Sequence, residues 1–253
     1  MPVPDRAVHA TAPSFLPQGG AAPAQGGLPL SGVTILLVED SRSASDMLRM
    51  MCQRSGARLR RADCLEQARS HLRTYCPDVV IVDLGLPDGC GDQLIRELAT
   101  AGRDMLVLGL SGDPDGRRLA LAAGAQGFLA KPVAGLGVFQ AAILQHLPGL
   151  RARTGRRYFW GQFVPPLPEW HDPAVARCDP LALRDDLTHA ADLLAKGPDA
   201  AARAYLARFV AGIARSAGDA ALAEAAQDAA LRAEALPRLQ RLVQHRLGEA
   251  ARF

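Results

Sequence analysis

The chain has 253 residues, enough for two ordinary domains, and with 49% hydrophobic and 22% charged residues it reads as globular rather than disordered. A net charge of +3 is too small to argue for nucleic acid, and five cysteines without C-x-x-C spacing suggest neither a zinc site nor a disulfide framework. No apolar run reaches the roughly 18 residues that cross a membrane, and the N-terminus lacks a basic region followed by an apolar one, so a cytoplasmic protein is expected.

Residues 1–30, rich in Pro, Gly, Ala and Gln, predict a disordered leader. From Val33 short apolar runs alternate with helical patterns, the signature of βαβ units around a parallel sheet. Residues 33–38 form the first strand and run into Glu39 and Asp40. Ser41 then caps a helix carrying Met47, Leu48, Met50 and Met51. A weaker strand over 57–61 and a helix over 65–75 follow, with Pro77 ending the helical pattern.

The next stretch organises the rest. Val79-Val-Ile-Val82 closes on Asp83 and meets a turn at Pro87, which predicts a buried parallel strand delivering a carboxylate to a loop. A helix over 91–100 turns Leu94, Ile95 and Leu98 inward. Residues 105–110 form a strand ending at Ser111, a helix covers 114–123, and a short strand over 127–130 ends at Lys131 and Pro132. A last helix over 136–147 is expected to stop at Pro148 and Gly149, which would end a domain spanning 31–149.

If these strands are neighbours, their carboxyl ends gather Glu39, Asp40, Asp83, Ser111 and Lys131 around one crevice. Three carboxylates repel one another unless a hard cation sits among them, and oxygen ligands of this kind suit Mg2+. Such a metal with Lys131 would neutralise a phosphoryl group moving onto Asp83, and Ser111 would hydrogen-bond one of its oxygens.

Over roughly residues 32–148 the sequence resembles the receiver domains of two-component response regulators. The resemblance rests on the pair Glu39-Asp40, on Asp83 with Pro87 four residues on, on Ser111, and on Lys131-Pro132. It implies a flavodoxin-like, doubly wound five-stranded parallel sheet in the order 2-1-3-4-5. It also implies phosphoryl acceptance on Asp83 from a histidine kinase or histidine phosphotransfer protein. Mg2+ would be held by Asp40, Asp83, the backbone carbonyl of Gly85 and, through water, Glu39. Phe128 falls at the family's switch position, and Gly85 and Asp113 at positions that influence hydrolysis of the phosphoryl group. No enzymatic activity beyond self-catalysed phosphotransfer and dephosphorylation is expected.

Residues 150–172 break the pattern. Arg151, Arg153, Arg156 and Arg157 precede Tyr158, Phe159, Trp160 and Phe163, then a Pro-rich run and Trp170. An interdomain linker, a docking strap and a polybasic contact all fit this composition.

Residues 173–253 read as helical throughout. Asp179-Pro180 caps a helix with Leu183, Leu187, Ala190 and Leu194 inward, and Tyr205, Phe209 and Ile213 mark the buried face of the next. Leu222, Ala225, Ala226 and Ala229 follow, and Pro237 opens a fourth helix with Leu239, Leu242 and Val243. An all-α four-helix bundle is the simplest fold for this pattern, two packed helix hairpins the alternative.

Within it the stretch from Arg208 to Leu222 resembles the signature of histidine phosphotransfer (Hpt) domains, through Gly212, Ala214, Gly218 and Leu222. Arg208 stands where that family has its phosphorylated histidine, and Ala211 replaces the accompanying lysine. A guanidinium stays protonated and cannot accept a phosphoryl group here. Small residues packing two helices closely would give the same pattern. Arg208 and Arg215 share a helical face that could meet an acidic surface, including the rim of a receiver's crevice. The expected output is therefore protein interaction, with another receiver or a second copy of the chain. A DNA-binding output would need a recognition helix rich in exposed basic and amide side chains, which no segment supplies.

Overall fold

The computed structural model describes residues 28–154 and 179–250. The aromatic and basic residues Arg156 to Trp170 lie outside the described residues, as do the side chains of Arg151 and Arg153. The first strand, β1 (Thr34–Val38), is followed by α1 (Arg42–Ser55), β2 (Arg58–Ala62), α2 (Leu65–Thr74) and β3 (Val79–Asp83). A two-residue hairpin, β4 (Gly85–Leu86) with β5 (Gly89–Cys90), leads to α3 (Gly91–Thr100). Next come β6 (Leu106–Ser111), α4 (Gly116–Ala122), β7 (Gly127–Ala130), α5 (Leu136–Leu144) and α6 (Leu147–Thr154).

Five strands form one parallel sheet in the order β2-β1-β3-β6-β7, the flavodoxin-like arrangement. Strand alternation explains the two cores. Ile35, Leu37, Val79, Ile81 and Leu108 face one helical layer with Leu48, Met51 and Phe139. Leu36, Val38, Val80, Val82 and Val107 face the other, with Leu65, Leu94 and Ile95. Being buried on both faces, β3 is apolar until its final residue, Asp83. The chain leaves β1 toward β2 and β3 toward β6, so a crevice opens where the direction reverses.

Two local expectations need correction. Pro148 and Gly149 do not stop the chain. They sit in the first turn of α6, where a proline's missing N–H costs nothing, and Leu147 and Leu150 are buried in the core beyond them. The leader does not extend to residue 30: Leu30 is fully buried and donates its amide to the Ser55 carbonyl at 2.7 Å. Met50 lies on the outer face of α1, exposed, while Leu48 and Met51 take the core.

The C-terminal residues form α7 (Pro180–Ala195), α8 (Ala200–Ala217), α9 (Ala220–Leu231), a short 3-10 turn (Ala233–Ala235) and α10 (Leu236–Ala250). Each of the first three starts at an aspartate whose carboxylate accepts an early amide: Asp179 from Leu181 N, Asp199 from Ala202 N, Asp219 from Leu222 N. Gly218 ends α8 with φ of 70°, a conformation glycine adopts without strain. One apolar cluster joins all four helices, with Leu187, Leu206, Val210 and Val243 buried in it. Ala225, Ala226 and Ala229 let α9 approach α8 closely.

These helices also pack on the sheet-bearing part of the chain. Helices α7 and α8 both contact α1, and α8 contacts β4. The covered ground is the carboxyl-end rim of the sheet.

Candidate functional site

At the sheet's carboxyl edge β1, β3, β6 and β7 deliver Glu39 and Asp40, Asp83, Ser111, and Lys131 to one place, as the strand order demands. One oxygen from each of Glu39, Asp40 and Asp83 lies within 4.8 Å of the others. Glu39 is fully buried, and Asp83 is 6% exposed. The Lys131 ammonium bridges the group, 2.5 Å from Glu39 Oε2 and 2.9 Å from Asp83 Oδ2. Ser41 N donates to Glu39 Oε1 at 3.0 Å, while Arg61 fastens the loop from outside by donating to the carbonyls of Glu39 and Asp40.

The electrostatics follow from burial. Loss of solvation raises the Glu39 carboxyl well above the ordinary range, more than the Lys131 charge lowers it. Burial, then the charge of Asp83, raises Asp40 to about 6. Burial alone would lower Lys131, but Asp83, Glu39 and Asp40 together hold its pKa above the usual lysine value. One fixed cation thus faces three carboxyl groups, and hard oxygen donors this close fit a divalent ion such as Mg2+.

The rest of the predicted set falls around this centre. Ser111 is buried at the end of β6 and its hydroxyl accepts the amide of Asp113 at 3.1 Å. Gly85 starts β4 beside Asp83 and lines the same cavity. Phe128 on β7 is partly buried, packed on the cluster that holds Ala120 and Val107. Gly91 is required where it stands, because a Cβ there would collide with the Asp83 carbonyl.

The helical face carrying Arg208 and Arg215 does meet an acidic crevice rim, that of its own chain. Tyr205, Arg208, Gly212 and Arg215 recur at three- and four-residue spacing along one face of α8. The Tyr205 hydroxyl donates to Asp40 Oδ2. A Cβ on Gly85 would lie 4.0 Å from that of Arg208, and one on Gly112 would collide with the Arg215 guanidinium. Helix α8 therefore crosses the ends of β1, β3 and β6 in turn. Burial, then the charge of Asp40, raises the pKa of the Tyr205 phenol, so it stays a donor. Arg208 itself is exposed at the rim, with Arg215 half-buried.

A second contact, on α7, was not anticipated. Asp186 is 2% exposed and caps the N-terminus of α1 from outside. Its Oδ1 accepts Arg42 N at 2.7 Å, and its Oδ2 accepts Ser43 N at 3.0 Å and Ser41 Oγ at 2.9 Å. A carboxylate at a helix N-terminus answers both its free amides and its dipole. His189 is exposed and stacks edge-on against Phe209, so it is a packing residue.

Comparison with known proteins agrees with this geometry over part of the chain. Residues 35–142 match the family model of the response regulator receiver domain. The KDP operon transcriptional regulatory protein KdpE of Escherichia coli is 36% identical over 110 residues, covering 43% of this chain and 48% of that protein. The virulence transcriptional regulatory protein PhoP of Salmonella typhimurium is 33% identical over 100 residues, covering 39% of this chain and 45% of that protein. The chain thus spans about half the length of the curated relatives it matches. Among solved structures, a response regulator receiver domain protein from Clostridium thermocellum aligns at 24% identity with a TM-score of 0.45, covering 48% of this chain and 98% of that one. With the acid cluster, the bridging lysine and the strand order on one side and the family match on the other, residues 35–142 are a response regulator receiver domain of the two-component type.

Proposed function

We propose that Asp83 accepts a phosphoryl group from a phosphohistidine on a histidine kinase or histidine phosphotransfer protein. One observation carries this reading: the Asp83 carboxylate ends a buried strand inside a cluster of acids, 2.9 Å from the Lys131 ammonium. An Asp83 oxygen attacks phosphorus, the P–N bond breaks, and its electron pair returns to the imidazole ring. Lys131 neutralises the charge that moves onto Asp83, and the Ser111 hydroxyl donates to a phosphoryl oxygen. Asp40, Asp83, the Gly85 carbonyl and, through water, Glu39 would hold Mg2+, which would supply positive charge for the phosphoryl oxygens. Phe128 then turns inward and the surface near α4 and β7 changes. The chain has no catalytic activity beyond this self-catalysed transfer and its hydrolysis.

The helices α7–α10 are the output of this switch, an antiparallel four-helix bundle and degenerate phosphotransfer module. Arg208 at the histidine position removes phosphoryl transfer but leaves a face suited to a receiver. In this reading the residues before Leu28 are a leader, those between α6 and α7 a linker, and the helices from α7 onward an interaction domain. It engages its own receiver, another receiver or a second copy. The similarity to transcriptional regulatory proteins supports a second reading, a receiver-gated transcriptional regulator. Tight, salt-sensitive binding of random DNA at low salt would favour it, and its absence the first.

The primary test is incubation of the full chain with acetyl phosphate and Mg2+, reading phosphate incorporation. The wild-type chain labels, and Asp83→Asn or a chelator abolishes the label. Undiminished labelling of Asp83→Asn would overturn the assignment.

A further inference from the structure

The loop between β1 and α1 is engaged from two sides. Its acids, Glu39 and Asp40, belong to the cluster that suits a divalent cation. The C-terminal helices hold it as well, through four consecutive residues. Asp40 accepts from the Tyr205 hydroxyl of α8, and Ser41 Oγ, Arg42 N and Ser43 N all donate to Asp186 of α7. Asp40 therefore serves both arrangements.

Two physical effects set these arrangements against each other. The Tyr205 proton and a cation draw on the charge of one carboxylate, and a hydrogen bond to an ionised acceptor is roughly twice as strong as one to a neutral acceptor. A dication on Asp40 thus weakens the Tyr205 bond, and that bond weakens the hold on the dication. Net charge works in the same direction. Docking lays Arg208 and Arg215 over a crevice in which Glu39, Asp40 and Asp83 outnumber Lys131, and a dication among those acids removes the excess negative charge that favours the two arginines.

From this we infer that cation binding in the crevice and docking of α7–α10 oppose each other, with Tyr205 as the point of conflict, so that Mg2+ loosens the C-terminal helices before any phosphoryl group arrives. The inference rests on the three acids being a cation site, and does not need Asp83 to be a phosphoryl acceptor. The helices stay closed over an empty crevice and open over a loaded one. Such coupling is reciprocal: the factor that docking takes from cation affinity is the factor that the cation takes from docking.

Calorimetric titration of the full chain with MgCl2 reads the first half of this coupling. Tyr205→Phe keeps a ring to stack on Phe209 and removes the hydroxyl, and should bind Mg2+ roughly tenfold more tightly than the wild-type chain. Asp186→Ala loosens docking at α1 without removing any of the three acids, and should tighten Mg2+ binding too, so it carries the test if Tyr205→Phe does not fold. Equal affinity in the wild type and the variants would overturn the inference and leave the cation site standing. Weaker binding in the variants would also overturn it, because the docked helices would then be completing the site. Absence of binding in every chain would remove the cation site, and the inference with it.

Hydrogen exchange reads the second half. The amides of Arg42 and Ser43 begin α1, have no partner within that helix, and owe their protection to Asp186. Saturating Mg2+ should speed their exchange about tenfold in the wild-type chain while the β3 amides keep their protection. In Asp83→Asn, which lacks one of the three carboxylates, the same Mg2+ should change nothing. Unchanged or slower exchange in the wild type, or equal acceleration in Asp83→Asn, would overturn the inference.

Discussion

The receiver crevice and the helices that cover it use buried charge differently. At the strand ends Glu39 and Asp83 are buried beside Asp40, with one ammonium, Lys131, to balance them. Among the described residues of α7–α10, Asp186 is the buried charged side chain, and three hydrogen bonds from the N-cap and first turn of α1 satisfy it. The first arrangement is short of positive charge and is therefore ready for a cation and a phosphoryl group. The second is satisfied and holds two parts of the molecule together. A crowded, under-balanced cluster points to chemistry, whereas a balanced one points to docking.

The contrast breaks most visibly at Lys131. Lys131→Ala leaves Glu39 and Asp83 buried without their counter-charge and should cost about 3 kcal/mol, read from urea denaturation without metal, with much of it restored by Mg2+. Asp186→Ala strands the first amides of α1 and should cost about 2 kcal/mol. It should also speed hydrogen exchange at Arg42 and Ser43, with the β3 amides remaining protected.

The acid cluster also predicts a pH dependence. Asp40 titrates near 6, above its ordinary 3.8, because burial and then Asp83 disfavour its charge. The folded chain therefore holds this proton more tightly than the unfolded one, so Asp40's contribution to stability falls as pH rises from about 4 to about 6. Cation affinity runs the other way, since the ligand must be ionised. It should drop up to about tenfold per unit as pH falls below about 6, as calorimetry would show.

The smallest expected effect lies one residue from one of the largest. Asp185 reaches Arg42 at 3.0 Å, but both side chains are more than half exposed. Asp185→Ala should change stability by no more than about 0.5 kcal/mol, and a loss like that of Asp186→Ala would refute the distinction between the two.

The receiver was legible because its chemistry follows local rules. An apolar run ending in an acid marks β3 and Asp83, and the same punctuation marks Ser111 and Lys131. Local signals fail where tertiary packing overrides them: Pro148 has the character of a stop but sits in the first turn of α6. The docking contacts were hidden by distance along the chain. Ser41 and Asp186 are separated by 145 positions, Asp40 and Tyr205 by 165. Tyr205 looked like one more member of an apolar stripe, which it partly is, stacking on Phe209. Asp186 did carry a signal, since it falls among Leu183, Leu187 and Ala190 on the inward side of α7.

The account depends most on which side chain carries the phosphoryl group. Treating the labelled full-length chain with borohydride reduces an acyl phosphate to an alcohol, and peptide mass mapping then locates it. The predicted result is conversion of Asp83, with Asp40, Asp113 and the histidines unmodified. Conversion at a different carboxylate, or a label that resists borohydride because it sits on a histidine, would contradict the account.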